Sequence, residues 1–445
     1  MQTKKRVATV ALLAAATFAL AGCSSADSSG GTTKAAAGTC APSAGKVNLT
    51  FTSWIPGVQA VVDVWNKANP DIQVAVQTGP SGNGGTYQNF FNELKAGNAP
   101  DLGQIEYDAL PNFRVQDGLV NLGACAGVLD AKSKFVDWTW GQVSFGEDKS
   151  AYAIPQDSGP MAMFYRADLF KAHNIAVPTT WDEYAKAAVQ VRAAGGYMTN
   201  FSPNDVNQFA GLVWQAGGKW FGNDGDKWTV NLTNATSTKV ADYWQDLIGR
   251  GLVSTLPGWT PEWDNAYNTS AAWTWNSAVW GANSILSGAP TTAGKWAVAP
   301  LPQWKAGDKA GGNWGGSSIA VFKGSKHPAE AAKFALWLNT SDESLTMLNK
   351  VANIYPATKA GLNLPVLKQG VPFYGNQHIY DVFATASAEV SPDFVWGPTM
   401  TQTYNDVSDG FKAAASGKGT LADALKSGQA STIAALTAQS IPVKQ

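Results

Sequence analysis

Two alternating apolar runs flanking a single helical stripe constrain this fold more than any other feature of the chain. Val47, Leu49 and Phe51 alternate, and Val58, Val61, Val62 and Trp65 recur at helical spacing. Asn69-Pro70 then closes the helix, and Ile72, Val74 and Val76 alternate again. A strand, a helix and a second strand in that order predict a right-handed parallel crossover.

The pattern continues along the chain. Tyr87, Phe90, Phe91 and Leu94 mark a helix stopped by Gly97. Thr180, followed three residues later by Glu183, fits a capping box that opens a helix through about Ala194. Val240, Tyr243, Trp244, Leu247 and Ile248 give another helix, while Lys295 to Ala299 and Ser318 to Phe322 are expected strands. Pro328 starts a helix carrying Phe334 and Leu338, and Met400 to Phe411 supplies a late one. The class is α/β throughout. At 445 residues the chain exceeds what one hydrophobic core serves, so two lobes are expected.

The first residues address the chain rather than fold it. Lys4, Lys5 and Arg6 precede an apolar run, Val7 to Leu20, which is shorter than the ~20 residues that span a bilayer. Leu20-Ala-Gly-Cys23 ends it in the manner of a bacterial lipobox, predicting lipid attachment at Cys23 and an extracytoplasmic, membrane-anchored protein. Ser24 to Gly45 is rich in Ser, Gly, Thr and Ala and is expected to be a flexible tether. With Cys23 given to lipid, Cys40 and Cys125 remain as one disulfide pair or as two free thiols.

Composition narrows the chemistry. The net formal charge is −1 and no basic block occurs, which argues against nucleic acid as a partner. His173, His327 and His378 are widely spaced and no Cys-x-x-Cys exists, so no metal site is expected. No nucleophile elbow, phosphate loop or His-Glu-x-x-His helix is present, and Gly82-Asn-Gly84-Gly85 is a turn. No catalytic residue or cofactor is assigned. Acidic pairs such as Glu106 with Asp108 are too common to establish a glycosidase.

Charged residues make up only 15% of the chain, while there are 19 Trp, a balance that suits a neutral polar ligand. Several aromatics stand at the ends of elements beside Gly, Pro or Asn: Trp54, Tyr107, Trp273, Trp275, Trp280, Trp314 and Trp396. A flat aromatic face covers the C–H face of a sugar while carboxylates and amides take its hydroxyl rim. Lacking an amphipathic period, this loop-end set is expected to face a ligand. Trp65 and Trp244, on helical stripes, are assigned to the core.

Four stretches together resemble the extracellular solute-binding proteins of ABC importers (solute-binding protein family 1), in the carbohydrate branch that includes maltose-binding protein. They are Leu49 to Trp54 with the following helix and Asn69 to Ile72, then Leu94 to Asp101. The third is Tyr152 to Pro155 with Met163 to Arg166 and Pro178 to Tyr184, and the fourth is Gly312 to Ser317 with the Ala329 to Asn339 helix. The resemblance implies a two-lobed periplasmic-binding-protein-like fold (type II) joined by chain crossings at a hinge. It puts those crossings near Pro155-Gln156, Ala297-Val298 and Thr340. Residues 46–155 and 298–340 would form lobe one, and 156–297 and 341–445 lobe two.

It further implies ligand-binding roles for Trp54, Glu106, Tyr107, Asp108 and Asp157, and for Asn276, Trp280, Trp314 and Trp396. The stretch around Asp157 is longer than in maltose-binding protein, and loop lengths differ between Asn200 and Gly218. The function implied is capture of a mono- or oligosaccharide by a monomer and delivery to an ABC permease. A secreted glycoside-active enzyme and a lipoprotein binding a peptide are the alternatives.

Overall fold

The computed structural model describes residues 40–224 and 227–444. The expected signal peptide, Cys23 and the tether as far as residue 39 lie outside the described residues. Ten strands are described: β1 (Val47–Ser53), β2 (Ile72–Thr78), β3 (Leu102–Glu106), β4 (Ala153–Pro155), β5 (Met161–Arg166), β6 (Phe221–Asp224), β7 (Lys227–Val230), β8 (Thr274–Ala278), β9 (Trp296–Pro300) and β10 (Ser317–Val321).

They form two principal sheets. The first has the order β2-β1-β3-β10-β4 and the second β8-β5-β9, while β6 and β7 make a separate pair. β1 runs parallel to β2, with Val47 opposite Ile72, as the strand–helix–strand pattern requires. Val47, Leu49 and Phe51 point into the first core, where Val58, Val61, Val62 and Trp65 of the Val58–Ala68 helix meet them. Phe334, from the Pro328–Thr340 helix, packs edge-on against Phe51 and Trp65 at 5.6 and 5.4 Å. In the second sheet β5 is flanked by two antiparallel partners. The capping box at Thr180 and Glu183 is formed as expected.

Three chain segments run side by side between the sheets. Met161 N–H donates to the Gly312 carbonyl and Trp314 N–H to the Gly159 carbonyl, each at 2.9 Å. On the other side Ser158 N–H donates to the Tyr355 carbonyl and Ala357 N–H to that of Gln156, both at 3.1 Å. Gly159 is required here, because a Cβ would stand 1.9 Å from the Trp314 carbonyl oxygen. The first of these segments follows β4, which ends at Pro155. Ala297 and Val298, by contrast, lie inside β9, which stays paired with β5 through Pro300. Thr340 ends a helix whose successor, Asp342–Ala352, still packs on the Val58–Ala68 helix. The two later crossings therefore fall at about 312–317 and 355–357. Residues 298–300 pack with the second lobe and 341–352 with the first, the reverse of the expected assignment.

The end of the tether is also more ordered than composition suggests. Cys40 and Cys125 form a disulfide with a Cα–Cα separation of 4.9 Å. Ser43 N–H donates to Glu330 Oε1 at 2.6 Å, and Ser43 Oγ lies 2.8 Å from His327 Nδ1. Residues 40–45 are fastened to the first lobe rather than free. Among the described residues no helix is long and apolar enough to cross a membrane.

Candidate functional site

A cleft of about 760 Å³ opens between the lobes, walled by loops at the strand ends and by the crossing segments. The first lobe contributes Trp54, which follows β1, together with Gln104 and Glu106 of β3. Gln104 Oε1 accepts from Ser53 Oγ at 2.8 Å and from Trp54 N–H at 3.2 Å, so the turn that presents Trp54 is pinned to the neighbouring strand. Tyr87 OH donates to Glu106 Oε2 at 3.0 Å while accepting Glu106 N–H at 2.8 Å.

The crossings supply Asp157, Trp314 and Gly315 to Ser317. Asp157 Oδ1 accepts from Ser317 N–H, locking two crossings together. Gly316, at φ 98°, allows the Tyr107 ring to come within 2.8 Å of where a Cβ would be. At the rim, Thr401 Oγ1 donates to Asn83 Oδ1 at 2.9 Å.

The second lobe supplies Asn204, Asp205, Trp259 and Trp280. Trp280 donates its indole N–H to the Trp314 carbonyl at 3.0 Å, and their rings meet at 4.5 Å. Trp259 donates to Asp205 Oδ2 at 2.9 Å and remains 52% exposed, in a left-handed backbone conformation at φ 66° that is unfavourable for a bulky residue. Asn204 holds this loop twice, accepting from Gly258 N–H at 2.6 Å and donating to its carbonyl at 3.2 Å.

Among the described residues the cleft wall carries Glu106, Asp157 and Asp205 but no Lys, Arg or His. Burial pushes the Asp157 carboxyl up to about 7, against the Ser317 hydrogen bond that lowers it, and pushes Asp205 up to about 6. Burial and the neighbouring Asp108 raise Glu106, and burial raises Asp108. Such a wall accepts and donates hydrogen bonds to a neutral polar ligand and repels an anion.

Of the residues singled out in the sequence, Trp54, Glu106, Asp157, Trp280 and Trp314 are brought together on this wall. Four are placed elsewhere. Tyr107 is buried, donating its hydroxyl to the Asp157 carbonyl at 2.9 Å and packing against Trp138. Asp108 sits behind the wall, where Asn207 Nδ2 donates to it at 3.0 Å and so bridges the lobes. Asn276 is in the second core, with its carbonyl accepting from Gln208 at 2.7 Å and its amide directed at Tyr184. Trp396 packs against Trp214, Phe394 and Tyr404, away from the cleft. Trp273 and Trp275 are core residues as well.

Trp259, Asn204 and Asp205 escaped the sequence reading. Pro257-Gly258-Trp259-Thr260-Pro261 carries the same Gly/Pro signal as the aromatics chosen. Asn204 and Asp205 lie in the stretch whose length departs from maltose-binding protein.

The profile of the bacterial extracellular solute-binding proteins matches residues 50–344. The chain belongs to this family. An arabinooligosaccharide-binding protein of Bacillus subtilis (strain 168) is 26% identical to this solute-binding protein over 365 residues, covering 79% of this chain and 80% of the relative. The galacto-N-biose/lacto-N-biose I-binding protein of the ABC transporter from Bifidobacterium longum, solved with lacto-N-biose, superposes with a TM-score of 0.80 at 29% identity, over 90% of this chain and all (100%) of that one. An ABC-transporter-associated binding protein from B. animalis subsp. lactis Bl-04, solved with beta-1,6-galactobiose, gives 0.76 at 27% identity, with 90% and 100% covered. The sugar-binding protein MalE of Xanthomonas citri, 18% identical with a TM-score of 0.73 over 88% and 98% of the two chains, shares the two-lobed fold. Membership in an extracellular family puts this solute-binding protein on the outer side of the cytoplasmic membrane.

Proposed function

We propose that this chain is the substrate-binding protein of an ABC importer, capturing a neutral carbohydrate between its lobes and handing it to the membrane permease. The cleft is the observation that carries this. Aromatic faces from both lobes stand beside carboxylates and amides, with no cation on the wall. Trp54, Trp259 and Trp280 stack on sugar rings with Trp314 packed behind them, while Glu106, Asp157, Asp205 and Gln104 bond to hydroxyls. The sugars named for the similar proteins support the same class. Contacts from both lobes coexist only when the cleft is shut, so the ligand draws an open–closed equilibrium toward closure. The protein acts as a monomer anchored through lipid on Cys23 and binds without turnover.

Calorimetry across a panel of neutral di- and oligosaccharides, with product analysis after prolonged incubation, tests this. Tight binding of a sugar recovered intact is expected. A raised carboxyl such as that of Glu106 is also what a general acid needs. Steady release of shorter sugars would therefore establish the glycoside-active alternative.

A further inference from the structure

We propose that the cleft takes its saccharide end-on. One terminal sugar residue sits on the aromatic surface of Trp259 and Trp280, braced by Trp314, and a ligand of two or three units makes all the contacts that set affinity. This rests on the carbohydrate reading above and specifies the length and direction of the ligand.

Aromatic platforms that hold a row of sugar rings lie along a line, so the outermost separation approaches the sum of the two inner ones. Here the ring centroids are 4.5 Å apart for Trp280 and Trp314, 5.7 Å for Trp259 and Trp280, and 6.1 Å for Trp259 and Trp314. Three similar separations describe a triangle. The ring planes diverge by 71°, 40° and 53°, so the indoles pack on one another as one cluster rather than as tiles of one floor. Trp275, 1% exposed, backs all three rings at about 6 Å and blocks their retreat.

The indole N–H groups of Trp259 and Trp280 are tied to Asp205 and to the Trp314 carbonyl, so neither ring swings out to extend a row. Trp314, 5% exposed, braces the other two rings, so Trp259 and Trp280 present one compact aromatic surface, enough for the apolar face of a single ring. Across the cleft, Trp54 offers one further aromatic surface, its other side packed on Tyr87 at 5.9 Å. The remaining lining includes Asn83 and Thr401, exposed and bonded to each other, where water competes for every hydrogen bond.

The experiment is calorimetry with arabino-, β-1,6-galacto- and malto-oligosaccharides of two to six units. In any series that binds, the Kd is expected to change by less than about threefold between three and six units, and Trp259→Ala to raise it by the same factor at every length. Trp259 is half exposed, so its removal leaves the fold standing, which the far-UV circular dichroism spectrum checks. A Kd that falls about tenfold or more from three to six units overturns end-on binding, as does a Trp259→Ala effect that fades with length. Heat from none of the three series would instead overturn the carbohydrate reading, and this inference with it.

Discussion

The loop holding Trp259 and the loop holding Trp396 are alike in sequence and opposite in fate. Both place a tryptophan beside glycine and proline, after one in Pro257-Gly258-Trp259 and before one in Trp396-Gly397-Pro398. Trp396 is 3% exposed and Trp259 52%. The difference lies in what passes overhead. Trp214, from the Val206–Gln215 helix, stacks on Phe394 at 4.6 Å and meets Trp396 edge-on, while Val395 bridges to Phe221 of β6. That loop is roofed. The Trp259 loop is instead held by Asn204 and Asp205, and among the described residues its indole stays half exposed. Local composition reports that a segment is a loop, and whether a loop is covered depends on elements remote in sequence.

The largest effect that can break this comparison is on stability. Trp396→Ala empties a packed site and is expected to destabilise the protein by about 3–5 kcal/mol, while the folded fraction keeps its affinity within about threefold. Denaturant unfolding alongside calorimetry measures both, and a normal midpoint with lost affinity would return Trp396 to the cleft. Trp259→Ala is expected to do the reverse, weakening sugar binding by about 2 kcal/mol, roughly thirtyfold, with little change in melting temperature.

Next in size is Asn204→Ala, which removes both hydrogen bonds on Gly258 and lets the strained Trp259 turn relax. A loss of about 1 kcal/mol in affinity, roughly fivefold, is expected. Crystallography of the variant should show the indole displaced, and an unmoved ring with normal affinity would show that the clamp is dispensable.

A further effect is on pH dependence. The folded state keeps protons on Asp157 and Asp205 that the unfolded chain releases near pH 4, so unliganded stability is expected to fall as pH rises from about 4 to about 7. Urea unfolding of the wild type and of Asp157→Asn at pH 5 and pH 7.5 tests this. The variant should lose less stability over that interval, and an equal loss would place the titration elsewhere.

Much of the fold was legible because period and punctuation are local. Each element of the Val47–Thr78 crossover, the Thr180 capping box and the Trp65 core assignment rests on residues a few positions apart. The later crossings were not legible, because β9 runs on through Pro300 only by virtue of β5 beside it, and the Asp342–Ala352 helix is held to the first lobe by packing on the Val58–Ala68 helix. The site divides in the same way. Trp54 stands where β1 ends, which alternation reveals, and Glu106, at the end of β3, was expected from the family resemblance. Tyr107 and Asp108 share that strand end, yet their side chains turn behind the wall to meet Trp138 and Asn207, partners far away in sequence.

The fastening of residues 40–45 carries a mechanical consequence. A chain entering directly at Val47 would deliver any tug to the end of β1, peeling that strand from β2 one hydrogen bond at a time. The covalent link to Cys125 intercepts the load first, and the Ser43 contacts with His327 and Glu330 spread it into the first turn of the Pro328–Thr340 helix. With the chain anchored through Cys23 as proposed, drag would be borne by a cross-link and a helix end, and the strand that presents Trp54 would stay in register.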